Sequence, residues 1–162
     1  MRKTIAVAAA ALAAGLGALA FGPSVSAEVP MKSPAVLWKT ATHVVVGTVR
    51  TIYSRTVVDS HWRNRRFVAE VAVEAVEKGA GIEQGGLAYV RYWDKEWLGR
   101  PNEMPTGASG HSGDPKEGDR VRIYLARNAH DGYDQSRDGG FNVIGPNGFQ
   151  PPTAATGAAP EK

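Results

Sequence analysis

"HVVVGTVRTIY", His43 to Tyr53, is the stretch on which the fold turns. Three consecutive valines are followed by β-branched Thr48, Val49, Thr51 and Ile52. Branching at Cβ restricts a side chain against the preceding turn of a helix and suits the pleat of a strand. Gly47 weakens a flat strand, and a glycine there marks a sharp bend of the kind that curls a small sheet towards closure.

Four further segments share this character. In "RFVAEVAVEAVEKG" (Arg66 to Gly79), Phe67, Ala69, Val71 and Val73 alternate with Val68, Glu70, Ala72 and Glu74, which places the glutamates on an outer face. Alanine and glutamate favour helix, but the two-residue period persists long enough to read as strand. "GLAYVRYW" (Gly86 to Trp93) and "DRVRIYLA" (Asp119 to Ala126) repeat the alternation, and "GFNVIG" (Gly140 to Gly145) closes the series. In the fourth segment Val121, Ile123 and Leu125 point one way, opposite Arg120, Arg122 and Tyr124. Upstream, "SPAVLWKTA" (Ser33 to Ala41) reads as a short helix: Ser33 caps it, Pro34 suits its first position, and Val36, Leu37 and Ala41 dock it. Five strands without crossover helices exclude a doubly wound α/β fold. The expected architecture is mainly β, a small five-stranded OB-like barrel with one short N-terminal helix. A β-sandwich is the alternative.

The ends of the chain set its context. Residues 1–27 read as a signal peptide: Arg2 and Lys3, an apolar "TIAVAAAALAAGLGALAFG", Pro23, then small residues up to Ala27. The protein is therefore expected to be exported, to the periplasm or outside the cell, with no transmembrane segment after cleavage. The chain has 19 Lys+Arg and 16 Asp+Glu, a net charge of +3, and loss of Arg2 and Lys3 leaves 17 basic against 16 acidic side chains. A nearly neutral domain is a poor general binder of nucleic acid or anionic membrane. Cysteine is absent, so one packed core, spanning residues 28–151, must hold the fold without disulfides. "PPTAATGAAPEK" offers little to bury, and residues 152–162 are expected to be disordered.

Several clusters invite a chemical reading. "GASGHSGDP" (Gly107 to Pro115) resembles a serine-hydrolase loop, but "GHSGD" has Asp114 where the nucleophile elbow needs glycine, and the following element is a strand. Adjacent His111 and Ser112 do not aim at one another in triad geometry, so a loop joining two strands is the expectation. His111, Asp114, His130 and Asp131 flank one strand and are the candidate metal ligands, though they lack the His-x-x-x-His spacing. "HWRNRRF" (His61 to Phe67) sets Arg63, Arg65 and Arg66 beside Trp62, a pattern suited to an anionic partner, with a polar hairpin rim as its plain structural reading. "YWDKEW" (Tyr92 to Trp97) places Trp93 and Trp97 around Asp94 and Glu96. A glycosidase would need two carboxylates in distinct environments about 5 to 9.5 Å apart, and nothing in the stretch separates them. The candidate ligand-binding residues are therefore Trp62, Arg63, Arg65, Arg66, Trp93 and Trp97, with no catalytic residue and no cofactor.

"ATHVVVGTVRTIY", "FVAEVAVEAVEKG", "LAYVRYW" and "EGDRVRIYLAR" together resemble the strand programme of netrin-module and tissue-inhibitor-like OB-fold domains, over residues 34–151. Exported bacterial proteins with a helix before a "VVGTV" strand and a closing "GPNGFQP" are similar. The animal members carry disulfides, and the inhibitors among them present an N-terminal cysteine to a metal. A mature start at Glu28 and the absence of cysteine rule that mechanism out here. What the resemblance implies is a binding or envelope-associated module.

The expected function is thus an exported, non-catalytic binding or interaction module whose partner is an envelope protein or a glycan. The alternatives are a loop-based hydrolase, with or without a metal, and a structural envelope protein.

Overall fold

β-branched and aromatic residues dominate the long extended segments, of which the first pairs antiparallel with the second through a tight turn and the second antiparallel with the third. The computed structural model describes residues 30–105, 110–127 and 140–152. β1 (His43–Asp59) turns through Ser60 and His61 into β2 (Trp62–Lys78), and β3 (Leu87–Trp97) follows. β4 (Arg120–Arg127), β5 (Phe141–Val143) and β6 (Phe149–Gln150) complete the sheet, and α1 (Pro34–Thr40) precedes it. Residues 1–27, expected to be a signal peptide, lie outside the described residues, as do His130, Asp131 and the tail beyond Pro152.

Hydrogen bonding runs β1–β2–β3–β5–β4 and returns from β4 to β1, so five strands form a ring. β3 and β5 are parallel, and the other ring pairs are antiparallel. β6 adds to β4 beside β5, at Arg122 and Ile123. Among the described residues the protein is mainly β with one α-helix, compatible with OB-like closure or with a sandwich of two curved faces. β6 was not expected: two residues between glycine and proline carry no readable period.

The ring encloses the alternating residues of each strand. Val45 and Val49 meet Ala69, Val71 and Val73, then Ala88, Val90 and Tyr92, and on the far side Val121, Ile123, Leu125, Val143 and Phe149. A second cluster lies outside the ring, where Leu37 of α1 and Ala41, which caps its C-terminus, cover Val44, Tyr124, Ala126 and Ile144. The run of valines in β1 follows from this: Val45 faces the ring interior while Val44 faces the helix. Ser33 caps α1 as expected, its Oγ accepting from Val36 N at 3.3 Å. Val36 itself is 47% exposed and does not dock the helix; one turn presents only Leu37 and then Ala41 to the sheet.

Gly47 stands where β1 crosses β2. A Cβ there would run into Ala72 O and lie 2.7 Å from Val71 Cγ1. The β1–β2 register slips next to it, between Val46 and Gly47, and again between Val44 and Val45 and between Val49 and Thr51. Such bulges increase local bend and twist, which is what a closed ring requires.

The strands outrun the ring. β1 continues past Tyr53 to Asp59, and β2 begins at Trp62, four residues before the start expected from alternation. "HWRNRRF" is therefore mostly strand, with only His61 in the turn. Residues 54–59, 62–67 and 92–97 form a three-stranded arm projecting from the ring.

Candidate functional site

The arm carries all six candidate ligand-binding residues, and its pleat sorts them onto two faces. β2 and β3 pair Trp62 with Trp97, Arg63 with Glu96, Asn64 with Lys95, Arg65 with Asp94 and Arg66 with Trp93. Successive pairs face opposite sides of the sheet.

One face continues the ring interior. Phe67 and Tyr92 stack at 4.7 Å between ring centroids, with planes 13° apart. Next outward, Arg65 Nε donates to Asp94 Oδ1 at 2.7 Å, and this hydrogen bond raises the guanidinium's pKa above its ordinary value. Beyond that, Arg63 Nη1 donates to Glu96 Oε2 at 2.6 Å. Arg63 and Arg65 are thus neutralised in place, and the two carboxylates that suggested glycoside hydrolysis are each tied to an arginine.

The opposite face is aromatic and cationic. Trp62 and Trp97 meet edge to face at 5.0 Å, and Lys95 Nζ lies 5.1 Å from the Trp62 ring. His61 leans on Trp97 at 5.3 Å. Trp97 Nε1 donates to Arg100 O at 2.9 Å, which anchors that ring while its face stays part-exposed. Arg66 and Trp93 complete the row. From Trp62 to Arg66 it spans about 13 Å at the usual strand rise. Of the six predicted ligand-binding residues, Trp62, Arg66, Trp93 and Trp97 come together here, and Arg63 and Arg65 fall on the other face. Lys95 was missed, although alternation applied to "YWDKEW" puts it between Trp93 and Trp97.

From Gly110 onward the glycine-rich stretch is built into the structure. Gly110 bridges to Asp94, and His111 N donates to Trp93 O at 2.8 Å. The His111 ring lies between β3 and β5: Nε2 is 2.9 Å from Val143 O, and Nδ1 is 3.2 Å from Trp93 N, which donates to it. Ser112 Oγ donates to Pro146 O at 2.9 Å. Both His111 ring nitrogens and the Ser112 hydroxyl are thus engaged with main chain, as a strap requires and a nucleophile–base pair does not. Asp114 is exposed. Among the described residues no three His, Asp or Glu side chains gather as a metal site.

A cleft of about 480 Å³ lies elsewhere, between the β2–β3 connection and the start of β5, with Ile82, Tyr89 and Phe141 beside Glu83 and Arg91. None of these was singled out in the sequence, because strand-face residues and a turn look alike whether or not a depression forms between them.

No family model, curated protein or solved structure matches the chain. Among the described residues no helix is long and apolar enough to cross a membrane.

Proposed function

We propose that this protein is an exported, non-catalytic binding module of the OB-like class, and that the aromatic–cationic face of its arm holds an acidic polysaccharide of the cell envelope. The observation that carries the reading is the sorting of charge. Arg63 and Arg65 are cancelled by Glu96 and Asp94 on one face, while on the other the exposed Lys95 lies over the Trp62 ring in one row with Trp93 and Trp97. Tryptophan rings offer flat apolar area to sugar rings, and the neighbouring cations supply the attraction for carboxylates. The face lies on paired strands closed at one end by the ring, so little ordering is needed on binding.

The reading is tested by titrating the protein with a polyuronate and with a neutral glucan of similar length, following tryptophan fluorescence. Saturable binding to the polyuronate is expected, weakening as salt rises. Lys95→Glu, on an exposed side chain, should abolish that binding with the circular dichroism spectrum unchanged, and combined Trp93→Ala and Trp97→Ala should do the same. Equal affinity for the neutral glucan, or binding untouched by both variants, would refute it.

A further inference from the structure

The other long edge of the arm belongs to β1. β4 covers β1 only from His43 to Thr48, and the adjoining segment continues the contact to Val49 through Gly118 and Asp119. At Ile52 the cover changes to a side chain, with Ile52 N donating to Glu117 Oε1 at 3.0 Å. From Tyr53 to Asp59 no strand pairs with this edge among the described residues. All seven residues are exposed, among them Tyr53 at 55%, Val57 at 42% and Val58 at 60%. An open edge of this length, rich in β-branched residues and without proline or lysine, is a template for another strand.

We propose that this edge pairs antiparallel with the same edge of a second copy of the chain, about a two-fold axis at Val57. Three observations single out that occupant and that register. The first is the direction of the free main-chain groups. Ile52 N–H points away from β2, so strand alternation turns the N–H and C=O of Ser54, Thr56 and Val58 the same way. Pairing about Val57 sets Thr56 opposite the partner's Val58 and Val58 opposite the partner's Thr56, so these outward groups form the hydrogen-bonded pairs.

The second is charge. The same register sets Arg55 opposite the partner's Asp59, twice over, at the close non-hydrogen-bonded positions. Among the described residues neither Arg55 nor Asp59 makes an ion pair within the chain. Within one chain Arg55 faces Arg66 across the β1–β2 register and no carboxylate. The third is apolar surface, since Val57 meets its own copy at the axis and is covered there.

A closed two-fold contact of this kind yields a dimer and leaves no further edge of the same type. Side chains opposite one another in a sheet share a face, so the two aromatic rows come to lie on the same side of one six-stranded arm. The pairing does not depend on what that face binds.

Sedimentation of the protein over a concentration series should show a monomer–dimer equilibrium. Arg55→Asp alone and Asp59→Arg alone each set like charges opposite one another and should weaken dimerisation about tenfold or more. Mixing the two single variants restores both attractive pairs across the interface, so a heterodimer should form where neither variant self-associates. Thr56→Pro removes an edge-facing N–H that β2 does not use, and it should give a monomer with an unchanged circular dichroism spectrum. A monomer at every concentration overturns the proposal, as does a dimer indifferent to both charge variants. A mixture of Arg55→Asp and Asp59→Arg chains that stays monomeric overturns the register.

Discussion

Arg65 and Asp94 clasp across the β2–β3 register through two contacts, Nε to Oδ1 at 2.7 Å and Nη2 to Oδ2 at 2.5 Å. The Asp94 side chain is only 12% exposed, against 41% for Arg65, and the Phe67–Tyr92 stack is the next pair inward. The pair closes the apolar interior of the ring at the base of the arm, and Gly110 bridges to Asp94 from the loop.

Removing the carboxylate's charge should therefore loosen the arm. Asp94→Asn is expected to lower unfolding free energy by about 1–3 kcal/mol, as for other hydrogen bonds to charged groups. Arg65→Met should reduce it more, since it leaves the buried Asp94 carboxylate without its partner, whereas the guanidinium left behind in Asp94→Asn still reaches water. The double variant should fall short of the sum, as in any directly coupled pair. Urea unfolding of the three variants measures this, and strict additivity would mean that the two side chains do not act together.

Gly47→Ala should destabilise by about 1–3 kcal/mol, because a methyl group there meets the Ala72 carbonyl and the Val71 side chain at the crossing of β1 and β2. Unchanged stability would show that the strands can part at that point without loss of the bend.

Tyr92 predicts the alkaline limit of stability. It is 2% exposed, and burial, with Asp114 and Asp94 adding to it, pushes its phenol far above the ordinary value of 10.0. A folded-state value raised above the unfolded one gives stability that is complete below about pH 10 and lost as pH climbs towards the folded value. The slope is about 1.4 kcal/mol for each pH unit above 10. Tyr92→Phe should flatten that decline in unfolding experiments from pH 9 upwards. An identical decline in the variant would assign the effect to another group.

Leu37 is fully buried in the small cluster under α1. Leu37→Ala is expected to cost about 2–5 kcal/mol. Because α1 is a single seven-residue segment, the loss should appear as faster amide exchange in Val36 to Thr40 and in β4 beneath them. Exchange that speeds up equally throughout the ring would show that the helix is not a separate layer.

Much of the inside–outside pattern was legible from residues close in the chain. Phe67, Ala69, Val71 and Val73 face the core as alternation requires, and Glu70 and Glu74 face out, bonded to Tyr89 and Arg120. Gly47 read correctly as a bend. The arm was harder to see. Arg63 and Arg65 look solvent-bound in a polar run, and only their partners on β3 reveal a strand whose inner face has turned from apolar to ion-paired. The same blindness merged six candidate ligand-binding residues that the pleat divides four to two.

Side-chain direction reverses at every residue of an extended chain, so composition and period alone determined which residues face inward and that the protein is mainly β. Which strand lies beside which was decided by contacts far apart in the chain. Arg65 reaches Asp94 29 residues on, β4 returns to β1, and β5 runs parallel to β3. Those pairings depend on closing long loops around a shared core, a free energy that no local stretch contains. They alone gather three tryptophans and two cations on one face and, among the described residues, leave the outer edge of the last seven residues of β1 without a strand beside it.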